Sequence, residues 1–119
     1  MLIVEDNPAV RSLVGRTLIQ GGYEVLEADG VHSTRRLLAA FAVTLAIVDL
    51  HLSGEDGLAL MHEIRQVQPQ VPLIAMSGRI DVELCDLLAA ARLRDHVWPL
   101  SKPFTPTELL GTVYRALAA

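Results

Sequence analysis

A chain of 119 residues, 51% of them hydrophobic, is long enough for one packed domain and too apolar to be disordered. Its net charge of −4 comes from 14 acidic and 10 basic residues, and the basic ones are scattered rather than striped, which argues against direct nucleic-acid binding. The longest apolar stretch, around 37–48, is broken by Thr44 and falls short of the ~18 residues a membrane span needs. No charged-then-apolar leader opens the chain, so the expected location is cytoplasmic, with no membrane contact. The lone Cys85 offers neither a disulfide framework nor a cysteine metal site and reads as a small core residue.

Short apolar runs alternate with helical patterns about five times. Leu2, Ile3 and Val4 form a buried strand. Asn7 or Asp6 caps the helix that follows, with Pro8 at its first position, where a missing N–H costs nothing. Val10, Leu13, Val14, Thr17 and Leu18 share one face, and Gly21-Gly22 ends the helix. A second strand over 23–28 is less apolar and so nearer an edge. A short helix over 32–40 points Leu37, Leu38 and Phe41 inward. A third strand over 45–50 is apolar on both faces up to Asp49, the pattern of a parallel sheet covered on both sides. The third helix, 58–68, carries Leu60, Met61, Ile64 and Val67 as a stripe. A fourth strand, 73–76, runs into Ser77-Gly78, and a fourth helix spans 81–92 with Leu84, Cys85, Leu88 and Ala89 inward. A fifth strand covers 97–100. Thr105 to Glu108 forms a capping box opening a last helix through Leu109, Leu110, Val113 and Leu117. The expectation is one α/β domain over 1–119: a doubly wound, five-stranded parallel sheet of order 2-1-3-4-5 flanked by five helices, with no output domain.

Ligands of such sheets bind at the carboxyl ends of the strands. The first strand ends in Glu5-Asp6, the third in Asp49, the fourth in Ser77, and the fifth runs into Ser101-Lys102-Pro103. Three carboxylates, a hydroxyl and an ammonium would meet on one rim. Clustered carboxylates cannot all stay ionised without a cation, and oxygen ligands suit Mg²⁺. The Asp49 carboxylate could then act as a nucleophile toward a phosphoryl group whose other oxygens Lys102 and Ser77 would hold.

Glu5-Asp6, Asp49, Ser77 and Lys102-Pro103-Phe104, together with the 49–57 segment ending in Asp56-Gly57 and the Asp29-Gly30 turn, resemble the signature of receiver domains of two-component response regulators, the CheY-like, flavodoxin-like fold. The resemblance covers essentially the whole chain. It implies that Asp49 is the phosphoacceptor, that Asp6 binds Mg²⁺ directly and Glu5 through water, and that the His51 backbone carbonyl is a further ligand. It implies that Ser77 couples phosphorylation to a loop shift, that Lys102 contacts the phosphoryl group, and that the Lys102–Pro103 peptide is cis. The donor would be a histidine kinase or a histidine phosphotransfer protein. The reader would be an unspecified downstream protein, and a homodimer is left open. Chemistry beyond self-phosphorylation and self-dephosphorylation is not implied, so the chain is not expected to be a turnover enzyme.

Two places depart from the family pattern. Ser53 stands where the family usually has Pro, and Pro99, beside Trp98, stands where it usually has a switch aromatic. Trp98 is the candidate stand-in, and His51 and Arg79 are the candidate tuners of phosphoryl lifetime. Two rival readings stay open. One is an aspartyl-nucleophile phosphatase or phosphotransferase, weakened because His51 replaces the second Asp such enzymes want. The other is a constitutive binding module that has lost its switch, motivated by Ser53 and Pro99.

Overall fold

The computed structural model describes residues 1–78 and 96–119. The fourth helix expected at 81–92, with Cys85, and the candidate tuner Arg79 lie outside the described residues. The described elements are β1 (Leu2–Val4), α1 (Pro8–Gln20), β2 (Leu26–Ala28), α2 (Val31–Ala40), β3 (Ala46–Asp49), β4 (His51–Leu52), β5 (Glu55–Asp56), α3 (Gly57–Val67), β6 (Leu73–Ser77), β7 (Val97–Ser101) and α4 (Pro106–Ala118).

Five strands form one sheet in the order β2-β1-β3-β6-β7, every neighbouring pair parallel. This is the expected order once the short β4–β5 pair is set aside. That antiparallel pair, joined through Ser53-Gly54 with Gly54 at φ 69°, was not expected. Strands of two residues are too short for an apolar period to announce them.

Period-two alternation in the covered strands feeds two cores. Val4, Ala46, Val48 and Ala75 pack toward Leu38, Leu60, Met61 and Ile64 of α2 and α3. Ile3, Ile47, Ile74 and Met76 pack toward Val14, Leu18, Leu109 and Val113 of α1 and α4. Both faces of β3 are thus covered, as its unbroken apolar run requires.

Caps set where the helices begin. The Asn7 side chain accepts from the Ala9 and Val10 amides at 2.9 and 3.2 Å, with Pro8 following, so the cap is Asn7 and Asp6 is left for other work. Asp56 caps α3 by accepting from Leu58 and Ala59 at 2.9 and 3.3 Å. The box at α4 is half of what was expected. The Thr105 hydroxyl accepts from the Glu108 amide at 3.1 Å, but the Glu108 carboxylate meets that same hydroxyl at 3.2 Å.

Several boundaries and inward assignments are corrected. The second strand is Leu26–Ala28 rather than 23–28, because the Tyr23 amide donates to the Leu18 carbonyl at 3.0 Å and closes α1 instead of joining the sheet. Phe41, expected inward, is 50% exposed. It is the residue after α2, with an extended φ of −135°, so the helical period no longer aims it at the core. Val67 and Leu117 lie in the last turns of their helices and are also exposed, as is Leu13 at the margin of the α1 stripe.

Pro99 is exposed on β7, the last strand of the sheet, which satisfies the rule that Pro belongs at an edge. Trp98 is half-buried against the α1–α4 core, its ring centroid 6.2 Å from that of His96.

Candidate functional site

The register of β1 against β3 builds the site. Ile3 pairs with Ile47 and Val4 with Val48. One step further along parallel strands, Glu5 and Asp49 leave the sheet side by side on one face. Asp6 follows Glu5, and oxygen atoms of Glu5, Asp6 and Asp49 lie within 4.8 Å of one another. The expected meeting of the first and third strands' carboxylates is therefore present. Glu5 is 1% exposed and Asp49 4%, whereas Asp6 is half-exposed.

Lys102 reaches this group from the far side. Its backbone N–H donates to the Ser77 carbonyl at 2.8 Å, which ties the end of β7 to the end of β6. Its ammonium then donates to Glu5 at 3.1 and 3.3 Å and to Asp49 Oδ2 at 3.2 Å. The Lys102–Pro103 peptide is cis, as the resemblance implied. Among the described residues, one cation thus serves two buried carboxylates and leaves the three-carboxylate group with a net negative charge.

The protonation pattern follows. Burial, then the neighbouring Asp49, pushes the Glu5 carboxyl up from 4.5 to about 7, against the downward pull of Lys102. Burial would also raise Asp49, but the hydrogen bond from the Glu5 carboxyl, the His51 amide at 3.0 Å and the Lys102 charge outweigh it. Asp49 is therefore held below the ordinary aspartate range. Below about pH 7, and above the acid range where Asp49 titrates, the pair shares one proton, with Glu5 the protonated member and Asp49 the anion. Asp6 is also held low, by the Ser53 hydroxyl and by the Ser53 amide, which donates to Asp6 Oδ2 at 2.9 Å.

Ser77 is buried at the end of β6, one residue past the Met76–Asp49 pair, and its hydroxyl stands 3.4 Å from His51 Nε2. His51 is exposed in β4, so its ring forms part of the rim. Trp98 and Pro99 lie on β7, away from the carboxylates, with Trp98 paired to Ile74 and Pro99 to Ala75.

The sequence did not announce three supports. The Ser53 contact to Asp6 is one. Arg11 is another: it donates to the Glu5 carbonyl at 2.8 Å and lies 3.7 Å from Glu27. Glu55 is the third, accepting from the Val31 amide at 3.1 Å and so capping α2 from the β4–β5 pair. Arg11 lies within α1 and Glu55 in the two-residue β5, so nothing in their local pattern marks them.

A five-stranded, doubly wound parallel sheet with an acidic, lysine-bridged pocket at its carboxyl edge defines a class of α/β domains that work at their strand ends. A family model described as "Response regulator receiver domain" matches residues 1–114, and the chain belongs to that family. It is 34% identical over 109 residues to the aerobic respiration control protein ArcA of Escherichia coli K12, covering 92% of this chain and 44% of that protein. It is 28% identical over 118 residues to the DNA-binding transcriptional regulator NtrC of Rhizobium meliloti, covering 99% of this chain and 24% of that one. The chain thus spans less than half the length of these curated relatives. The crystal structure of the receiver domain of NtrX from Brucella abortus superposes with a TM-score of 0.87 at 31% identity, covering 99% of this chain and 98% of that one. The chemotaxis protein CheY4 of Vibrio cholerae superposes at 0.89 with 24% identity, a likeness of fold.

Proposed function

We propose that this receiver domain accepts a phosphoryl group on Asp49 from a phosphohistidine on a histidine kinase or a histidine phosphotransfer protein, with Mg²⁺ held by Glu5, Asp6, Asp49 and the His51 backbone carbonyl. The observation that carries this reading is the buried Asp49 anion beside two further carboxylates and Lys102. The donor set fits the ion: all oxygen, three carboxylates, and, among the described residues, one ammonium that leaves the group underneutralised, so that the Glu5 carboxyl is raised to about 7. When bound, the metal offsets the negative field that would otherwise repel a phosphoryl group.

Asp49 supplies the nucleophile. Its carboxylate oxygen forms the bond to phosphorus while the phosphorus–nitrogen bond of the donor breaks, the electron pair staying with the imidazole. Lys102 already contacts Asp49 Oδ2, so its ammonium is placed to hold a phosphoryl oxygen as charge builds there. Ser77, one position past the strand partner of Asp49, offers its hydroxyl to another. Doing so takes that hydroxyl away from His51 and changes the rim a downstream protein reads. The cytoplasm is the compartment that suits such a donor, and no helix among the described residues is long and apolar enough to cross a membrane.

Labelling tests the proposal. With Mg²⁺ and acetyl phosphate the domain takes up one phosphoryl group per chain, and Asp49→Asn takes up none. Sustained turnover of small phosphoesters would favour the phosphatase reading instead, and a domain silent to both would favour a constitutive binding module.

Trp98, the only tryptophan, sits in register with Ile74, three residues before Ser77 on the adjoining strand. Beryllofluoride with Mg²⁺ is expected to shift its emission intensity by more than a tenth. Identical spectra with and without the mimic would remove Trp98 as the switch reporter.

A further inference from the structure

Ser53 occupies the turn between β4 and β5, far from Asp6 in sequence, yet its amide donates to Asp6 Oδ2 at 2.9 Å. Asp6 needs such a hold more than its neighbours do. Glu5 and Asp49 are buried and clamped by Lys102, whereas Asp6 is half-exposed, and Asn7 has taken the helix-capping role that would otherwise occupy it. An exposed aspartate with an unrestrained side chain must give up rotamer freedom on binding an ion. One already fixed through one oxygen keeps its other oxygen for the ion.

Resting on the metal reading above, we propose that Ser53 is a positioning residue for divalent-cation binding, its amide and hydroxyl fixing the Asp6 carboxylate before the ion arrives. The hold also runs the other way. Through Ser53, the turn that follows Asp49 is fastened to the end of β1, so ion binding at Asp6 is felt directly in the β4–β5 segment that carries His51. Glu55 of the same segment accepts from the Val31 amide, so the fastening continues to the start of α2. A proline at this position would delete the donor altogether, since it has no N–H.

The test is Mg²⁺ titration of the whole chain by calorimetry, in wild type and in Ser53→Pro, Ser53→Ala and Ser53→Thr, with metal-free melting temperatures recorded beside it. Ser53→Pro is expected to weaken Mg²⁺ binding about tenfold, as loss of a charge-assisted hydrogen bond and its preorganisation would. Ser53→Ala, which keeps the amide, should weaken it about threefold, and Ser53→Thr, which keeps both donors, should bind as wild type does. Ser53→Pro binding as tightly as wild type, or more tightly, overturns the proposal, as does a loss in Ser53→Thr equal to that in Ser53→Pro. If Ser53→Pro does not fold, the Ser53 amide in the wild-type chain decides. Slow hydrogen exchange there, kept on Mg²⁺ saturation and lost in Asp6→Ala, supports the hold, and fast exchange in all three states overturns it. A wild-type chain with no saturable Mg²⁺ binding would sink the metal reading itself, a different failure from equal binding by wild type and Ser53→Pro.

Discussion

Gly57→Ala is expected to cost about 3 kcal/mol or more of folding stability, a large share of the 5–15 kcal/mol typical of a domain. Gly57 opens α3 directly after the Asp56 cap. A β-carbon there would overlap the Asp49 carbonyl oxygen and stand 2.6 Å from Leu50 Cα and 2.9 Å from the Leu50 carbonyl carbon. These are backbone atoms at the exit of β3. They cannot swing aside as a flexible side chain could, and the Leu50 amide is already committed to the Met76 carbonyl at 3.0 Å. Relief must therefore come from moving α3 or β3. Thermal denaturation should show a melting temperature lower by on the order of 10 °C. Gly54→Ala, at a position with open space beside it but a φ of 69°, should cost only about 1 kcal/mol. A Gly57→Ala variant as stable as wild type would mean that the helix does not approach the strand this closely.

The contrast between Gly57 and Gly54 shows which parts of this fold were legible in the sequence. The Asp56-Gly57 pair was recognisable as a pattern, but the need for glycine lies in a close approach between a helix start and a strand exit, which no local period encodes. The central strands β1, β3 and β6, by contrast, declare themselves through apolar runs covered on both faces, and the edge strands β2 and β7 through less apolar runs beside them. Their carboxyl ends then name Glu5, Asp49, Ser77 and Lys102 before any coordinate is known. That logic stops at chain segments whose role is set by distant partners. Tyr23 reads as a strand residue until its amide is seen closing α1. Phe41 and Val67 continue an inward stripe on paper, yet the helices end beneath them. Ser53 was visible only as a departure from a family pattern, and its contact with Asp6 spans 47 positions.

The metal-free domain is expected to lose stability as pH rises from about 4.5 to about 7, and Mg²⁺ is expected to restore it. Glu5 carries the effect. Its carboxyl is raised from 4.5 to about 7 in the folded chain, first by burial and then by Asp49. Between those values the folded chain binds a proton that the unfolded chain has released. The stabilising contribution is fully present below about pH 4.5 and is gone once pH passes about 7. Asp49 acts in the opposite sense, but being held below its usual 3.8 it is lost only at more acid pH, outside this window. Melting curves without metal should therefore show a drop on the order of 5 °C between pH 5 and pH 7.5. Saturating Mg²⁺ should act mainly at the upper end, because the ion competes with the Glu5 proton, and its affinity should rise with pH over the same window. Asp49→Asn should flatten the slope without abolishing it, since burial, the larger cause of the Glu5 shift, remains. A metal-free melting temperature that rises from pH 5 to pH 7.5 would show that Glu5 is ionised across the range and that Lys102 alone suffices to hold both carboxylates.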